Sequence, residues 1–240
     1  MVHYKLTYFD TRGLAEAIRL IFKYANVDFE NHRITFGEWP KIKPTTPTGF
    51  VPVLEFDGNY LVESAAICRY LARKHGLAGK GDLEEAKVDA IVDQNKDFFA
   101  QCLPWLSVKY GFQQGDEADL KKTKVIPQSE IYLPLYQKYL KESGSGFLAD
   151  LKKTKVIPQS EIYLPLYQKY LKESGSGFLV KSGLTFADFI VSEFLTTLRL
   201  EAPDVLEKYP DILQYLDRMK TLLQLKEYYS TRKEAFDLKK

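Results

Sequence analysis

The stretch from Thr48 to Ser64 constrains this chain most. It reads Thr-Gly-Phe-Val-Pro-Val-Leu-Glu-Phe-Asp-Gly-Asn-Tyr-Leu-Val-Glu-Ser and runs into the helix-forming Ala65–Ala72. Two short β-rich runs, Val53–Phe56 and Tyr60–Val62, flank Asp57-Gly58, a dipeptide that accepts the positive φ angles of a tight hairpin. Pro52 precedes the first run and leaves the backbone of Val51 and Val53 presentable at its start. A helix opening at Glu63-Ser64 adds unpaired N–H groups and a dipole that suit a carboxylate. The ensemble reads as a site for a peptide-like anion.

Around this unit the chain alternates strand and helix. Val2–Phe9 is β-rich and ends as a strand near Tyr8-Phe9. Leu14, Ala17, Ile18, Ile21 and Phe22 then recur at helical spacing, so a helix that buries this face starts after Asp10-Thr11. Asp28–Ile34 reads as a second strand and Phe36–Lys43 as a short irregular or helical segment, closed by prolines at 44, 47 and 52. The order is βαβαββα, a mixed sheet covered by helices, in which ligands sit at strand C-termini and adjoining helix N-termini.

Composition removes several classes of function. The 34 basic and 32 acidic residues are spread through the chain for a net charge of +2, so no basic face favours nucleic acid or an anionic membrane. No segment approaches the ~20 apolar residues of a membrane span. Cys68 and Cys102 lie in apolar helical patterns, without the spacing of a redox pair or a zinc site. A reducing, cytoplasmic location is the expectation.

With no redox cysteine and a proline before the third strand, this βαβαββα order resembles the thioredoxin-like domain of glutathione transferases, most closely the sigma class with its prostaglandin D synthase members. The resemblance rests on Tyr-Lys-Leu-Thr-Tyr-Phe at 4–9, Arg12-Gly13, Trp39–Lys43, Val-Pro-Val-Leu-Glu at 51–55, Glu63-Ser64 and Val88–Asp93. It implies residues 1–78 as the glutathione-binding domain, 79–83 as linker and 84–240 as an all-helical domain. It also implies glutathione as co-substrate, no metal, a small apolar electrophile, and a homodimer. Tyr8 becomes the hydroxyl that stabilises the glutathione thiolate; read alone, it is an aromatic at a strand end. Ser64 and Glu63 take the γ-glutamyl end, where Ser alone reads as an ordinary helix cap. Phe50, Val51 and Pro52 flank the cysteinyl part, Trp39 and Lys43 the glycyl carboxylate, and Arg12 completes the set. Asp97 reaches the glutathione amine of the partner, and Phe9 joins the electrophile pocket; Trp105, Tyr110 and Phe112, after Pro104, are placed either to wall that pocket or to pack the core. A glutathione-dependent isomerase and a non-catalytic, crystallin-like relative are the alternatives.

The chain departs from the family pattern at three places. Phe50 stands where Lys or Gln is usual, Glu63 where many relatives have Gln, and Thr48 where several classes carry an aromatic that keys into the partner. In the helical part, Asp89, Asp93 and Asp97 recur at i+4 as a solvated stripe, Pro104 should kink its helix, and Lys96 interrupts the acidic cluster a divalent ion would need. Thr185 and Asp188 have the spacing of a capping box, and helices at Pro203–Tyr209 and Asp211–Tyr229 precede a charged tail from Thr231.

One feature is foreign to the pattern. Ala118–Leu148 is identical, letter for letter, to Ala149–Leu179, a period of 149 less 118, or 31 residues. Each copy reads as a helix (Val125–Lys141 in the first) with a Ser-Gly-Ser-Gly loop, and two copies are too few for a solenoid. One helix slot cannot hold both copies, and identical sequences cannot say which one occupies it.

Overall fold

The computed structural model describes residues 2–125 and 159–232. Strand β1 (Tyr4–Phe9) leads through a 3-10 turn (Gly13–Ala15) into α1 (Glu16–Tyr24), then β2 (Phe29–Ile34), the single-turn α2 (Trp39–Ile42), β3 (Val53–Phe56), β4 (Asn59–Val62) and α3 (Ser64–Lys74). The sheet order is β2-β1-β3-β4, with β1 parallel to β2 and antiparallel pairing elsewhere. This is the expected thioredoxin-like arrangement. Asp57 and Gly58 both take positive φ, as the hairpin requires.

Alternation along β1 sends Tyr4, Leu6 and Tyr8 to one face, where they join the core formed with Ile18, Ile21 and Phe22 of α1 and Ile67 and Leu71 of α3. Leu14 departs from expectation: it sits in the 3-10 turn, not the helix, and is 45% exposed. The helix starts two residues later than its apolar spacing suggests, because the turn is bent back to reach Tyr8.

After α3 comes a helical domain: α4 (Asp82–Lys109), α5 (Glu117–Leu120), a π-helical turn (Lys121–Val125), α6 (Gln159–Ser174), α7 (Phe186–Glu201), α8 (Pro203–Leu206), α9 (Pro210–Lys220) and α10 (Lys226–Thr231). Pro104 does not end α4, which runs on to Lys109. Nor is the aspartate stripe only solvated: Asp89 accepts from Arg69 of α3 at 2.6 Å, an ion pair between the domains. The Phe186 N–H donates to the Leu77 carbonyl, so the segment between α3 and α4 is tied to the start of α7.

Both repeats contribute to the helical domain. Ala118–Val125, from the first copy, supplies α5 and the π turn, and Val125 is buried. The helix slot beside α4 is filled by α6, from the second copy. Its Tyr167 hydroxyl donates to Asn95 at 3.1 Å, and Tyr163 stacks on Phe98 with ring centroids 5.1 Å apart. Most of the first copy's expected helix, at 126–141, lies outside the described residues. The second copy continues straight into Asp188's reach: the Leu179 N–H donates to the Asp188 carboxylate at 2.9 Å, while the Thr185 N–H and hydroxyl donate at 2.8 and 3.0 Å. The expected capping box is present at this position. Burial pushes the Asp188 carboxyl up to about 6, against the pull of these donors.

Replacing Asp188 by Ala strands three donors, and urea unfolding should register a loss of about 2–4 kcal/mol. Deletion of 118–148 or of 149–179 gives the same 209-residue protein, since 240 less 31 is 209. That form should melt higher and self-associate less than the full chain, because it lacks a second copy of an apolar-faced segment. Equal melting temperatures with equal monodispersity would refute this.

Candidate active site

Tyr8 ends on β1 opposite Arg33 of β2 and is 9% exposed. Beyond it the chain reverses through Gly13, at φ +41°, and the Leu14 N–H donates to the Tyr8 hydroxyl oxygen at 3.1 Å. A phenol has one proton to give and two lone pairs to accept with. Leu14 engages the acceptor side, which orients the O–H to donate elsewhere. Gly13 is required twice, by its positive φ and by space: a Cβ there would lie 2.6 Å from the Tyr8 oxygen. Burial raises the phenol above its ordinary value, against the lowering effects of the Leu14 N–H and of Arg19, whose guanidinium lies 5.9 Å from the ring centroid. Tyr8 is therefore a neutral donor at physiological pH.

A cavity of about 310 Å³ is lined by Arg12, Gly13, Glu63 and Ser64 on one side and by Lys96 and Phe99 of α4 on another. Ser64 is the first residue of α3, and Glu63 before it is held at φ +66°. A non-glycine residue in that region costs about 1–3 kcal/mol and persists only where its surroundings force it. Here the turn from β4 aims the α3 N-terminus at the cavity.

Three expected ligand contacts, Arg12, Glu63 and Ser64, thus share one cavity. Arg12 also serves the helical domain, donating to Glu193 at 2.8 Å and to Thr197 at 2.9 Å. Trp39 is half-buried with its ring edge-on to Phe9 at 5.5 Å, and Lys43 is exposed in the turn after α2. The Val51-Pro52 bond is cis, Val51 is half-buried and Pro52 buried, while Phe50 is 71% exposed. Asp97 is exposed on α4.

The apolar side differs from expectation. Trp105 is fully buried in the core of the helical domain, so it is not a surface of the pocket; Pro104 leaves α4 continuous and keeps that side chain turned inward. An aromatic strip leads away from Tyr8 through two expected residues, Phe9 and Phe112: Phe9 at 5.7 Å, Phe36 stacked on Phe9 at 4.6 Å, and Phe112 tilted against Phe36 at 5.8 Å. Phe36 was missed as a site residue, although two aromatics, Phe36 and Trp39, stand in the short segment Phe36–Lys43. Tyr110 is half-buried, and burial together with Glu201 raises its phenol.

Sequence reasoning also missed Glu16, Arg19, Glu193 and Arg232. Glu16 and Arg19, three apart within an apolar helix, were visible as a buried pair; Arg232 carried no signal. Among the described residues no group of three or more His, Cys, Asp or Glu could hold a metal, and no helix is long and apolar enough to cross a membrane.

Near-ultraviolet titration of the protein minus its Tyr8→Phe variant should put the midpoint of Tyr8 ionisation above its ordinary value of 10.0. A step well below that would mean the Arg19 field outweighs burial.

Comparison with known proteins agrees with this geometry. The pattern of the glutathione S-transferase N-terminal domain matches residues 4–73, and that of the C-terminal domain matches residues 149–232. The chain is 39% identical over 232 residues to glutathione S-transferase 1 of Ascaris suum, covering 97% of this chain and 98% of that one. It is 35% identical over 225 residues to the hematopoietic prostaglandin D synthase of Gallus gallus, covering 92% of each. Among solved structures, monomeric Na-GST-3 of the hookworm Necator americanus superposes with a TM-score of 0.79 at 37% identity, covering 98% of this chain and 100% of that one. A strand-end tyrosine held by a backbone N–H, a helix N-terminus opening on a shared cavity and full-length similarity to these enzymes lead to one conclusion: the chain belongs to the glutathione S-transferase family.

Proposed function

We propose that Tyr8 is the residue through which this transferase activates glutathione. Its hydroxyl donates to the glutathione sulfur and favours the thiolate. The thiol proton passes to solvent, the thiolate sulfur forms a new bond to the electrophile's carbon, and the carbon–leaving-group bond breaks with its electron pair going to the leaving group. The observation that carries the reading is the Leu14 N–H at 3.1 Å from the phenol oxygen, which fixes the hydroxyl while leaving its proton to give. Burial supports it too, because a neutral phenol donates where a phenolate would repel a thiolate.

In this reading glutathione lies along residues 1–78. Its γ-glutamyl end meets Ser64, Glu63 and Arg12, its cysteinyl part runs along Phe50-Val51-Pro52, and its glycyl carboxylate meets Trp39 and Lys43. The electrophile occupies the space between the domains, along Phe9 and Tyr110, with Phe36 and Phe112 extending the apolar surface. The chain is a sigma-class member acting as a homodimer in a reducing cytoplasm. Its two buried thiols and the exposure of Asp97 and Phe50 support that assignment. A glutathione-dependent isomerase of the prostaglandin D synthase type is the second reading, favoured by the similarity to a prostaglandin D synthase.

Conjugation of glutathione to a chloronitrobenzene tests the first reading. Tyr8→Phe removes a hydrogen bond to a charged sulfur, worth about 1.5–3 kcal/mol, so kcat/KM should fall roughly 10- to 150-fold, while the Leu14 N–H loses its acceptor. Gly13→Ala should produce a loss of similar size by displacing the hydroxyl. Full activity in both variants would refute the role of Tyr8, and isomerisation without conjugation would favour the second reading.

A further inference from the structure

The cavity wall contains one amide side chain, and the glutathione contacts do not use it. Asn95 of α4 lines the cavity while only 4% exposed. Its side-chain oxygen accepts from the Tyr167 hydroxyl of α6 at 3.1 Å. Burial raises the Tyr167 phenol well above its ordinary value, so that hydroxyl keeps its proton and donates it. With the oxygen held in this way, the orientation of the amide is set. Its nitrogen carries two hydrogens and meets no acceptor among the described residues, yet it is not sealed away from solvent, so it opens on the cavity.

The neighbours decide what such a donor suits. Val92 and Phe99 lie about one turn to either side of Asn95 on α4, and Ile190 and Phe194 of α7 line the same cavity, with the Phe99 and Phe194 rings edge to face at 5.5 Å. A donor set among apolar side chains gains most from an acceptor that needs little water of its own, and a neutral oxygen is cheaper to bring there than a carboxylate. Leu14 is the wall toward Tyr8, since its N–H is the one bonded to the phenol oxygen. We propose that Asn95 is a specificity-determining residue for the electrophile: its amide N–H donates to a ketone, ester or nitro oxygen set away from the reacting carbon, and so favours apolar electrophiles that carry such an oxygen over hydrocarbon analogues of the same shape. The inference names a substrate class for the proposed site and rests on the reading that Tyr8 presents the glutathione sulfur.

The test compares two benzylic chlorides of matched shape, 4-acetylbenzyl chloride and 4-ethylbenzyl chloride; in each, the glutathione sulfur bonds the benzylic carbon and chloride leaves with the electron pair. The quantity read is the ratio of their kcat/KM values in a variant against the same ratio in the unaltered protein, which cancels their different intrinsic reactivities. Asn95→Leu should lower the ratio roughly 3- to 10-fold, the effect of one neutral hydrogen bond. Tyr167→Phe breaks the same tie between α4 and α6 but keeps the amide hydrogens, so its ratio should stay within about twofold. If Asn95→Leu fails to fold, Asn95→Asp decides, because a carboxylate still accepts from Tyr167 but has no N–H to give; it should lower the ratio at least as far. Equal slowing of both chlorides by the Asn95 variant, or the same fall in ratio for Tyr167→Phe, would overturn the proposal and leave Asn95 a packing residue. Tyr8→Phe separates this inference from the reading beneath it, since it should slow both chlorides alike. If it slows neither, the role of Tyr8 fails while an Asn95-dependent ratio stands; if it slows both and the Asn95 variant keeps the ratio, the reverse holds.

Discussion

Buried arginine must find carboxylate, and in this protein that requirement joins the domains. Arg19 is fully buried in α1, and its partner Glu16 is equally buried. Burial pushes the Glu16 carboxyl up, but Arg19 and Arg232 more than offset this and hold it below the ordinary range. Neither domain completes the set alone. Arg12 finds its carboxylate on α7, and Glu16 finds its second cation beyond α10. Breaking such a pair by removing one partner leaves a stranded charge, which is far costlier than losing a surface ion pair. The relative placement of the two domains, and hence the cavity between them, follows from satisfying these groups.

The site inherits its precision from this arrangement. Tyr8 stands on a strand, and its oxygen is registered by a backbone N–H from a turn that only glycine permits. Arg19 bonds the carbonyls on that turn, so the helix carrying the charge also fixes the loop that orients the phenol. An aromatic strip of Phe9, Phe36 and Phe112 leads away from Tyr8 as an apolar surface.

Much of this could be read in advance wherever the signal was local. The hairpin at Asp57-Gly58, the helix beginning at Ser64 and the capping box at Thr185 each depend on a few adjacent residues, and each is present. Errors arose where distant residues decide. Leu14 kept its place in the helical spacing but is withdrawn into a turn by its bond to Tyr8. Trp105, beside a proline expected to kink its helix, read as either a pocket or a core aromatic, and only packing assigns the ring to the core. Asp89 looked solvated until Arg69 of another helix was placed beside it.

The tandem repeat draws the same boundary most sharply. Sequence alone determines the sheet-and-helix order, the hairpin, the caps and the family motifs, because periodicity and turn chemistry act over a few residues. It also shows two identical segments, and by their identity cannot rank them. Tertiary structure decides that the second supplies the packed helix, since its Leu179 leads directly into the Asp188 cap, while the first supplies the buried Val125 turn. It alone brings Arg12, Glu16, Arg19, Glu193 and Arg232 together, because charges far apart in the chain meet only where burial leaves them no other partner.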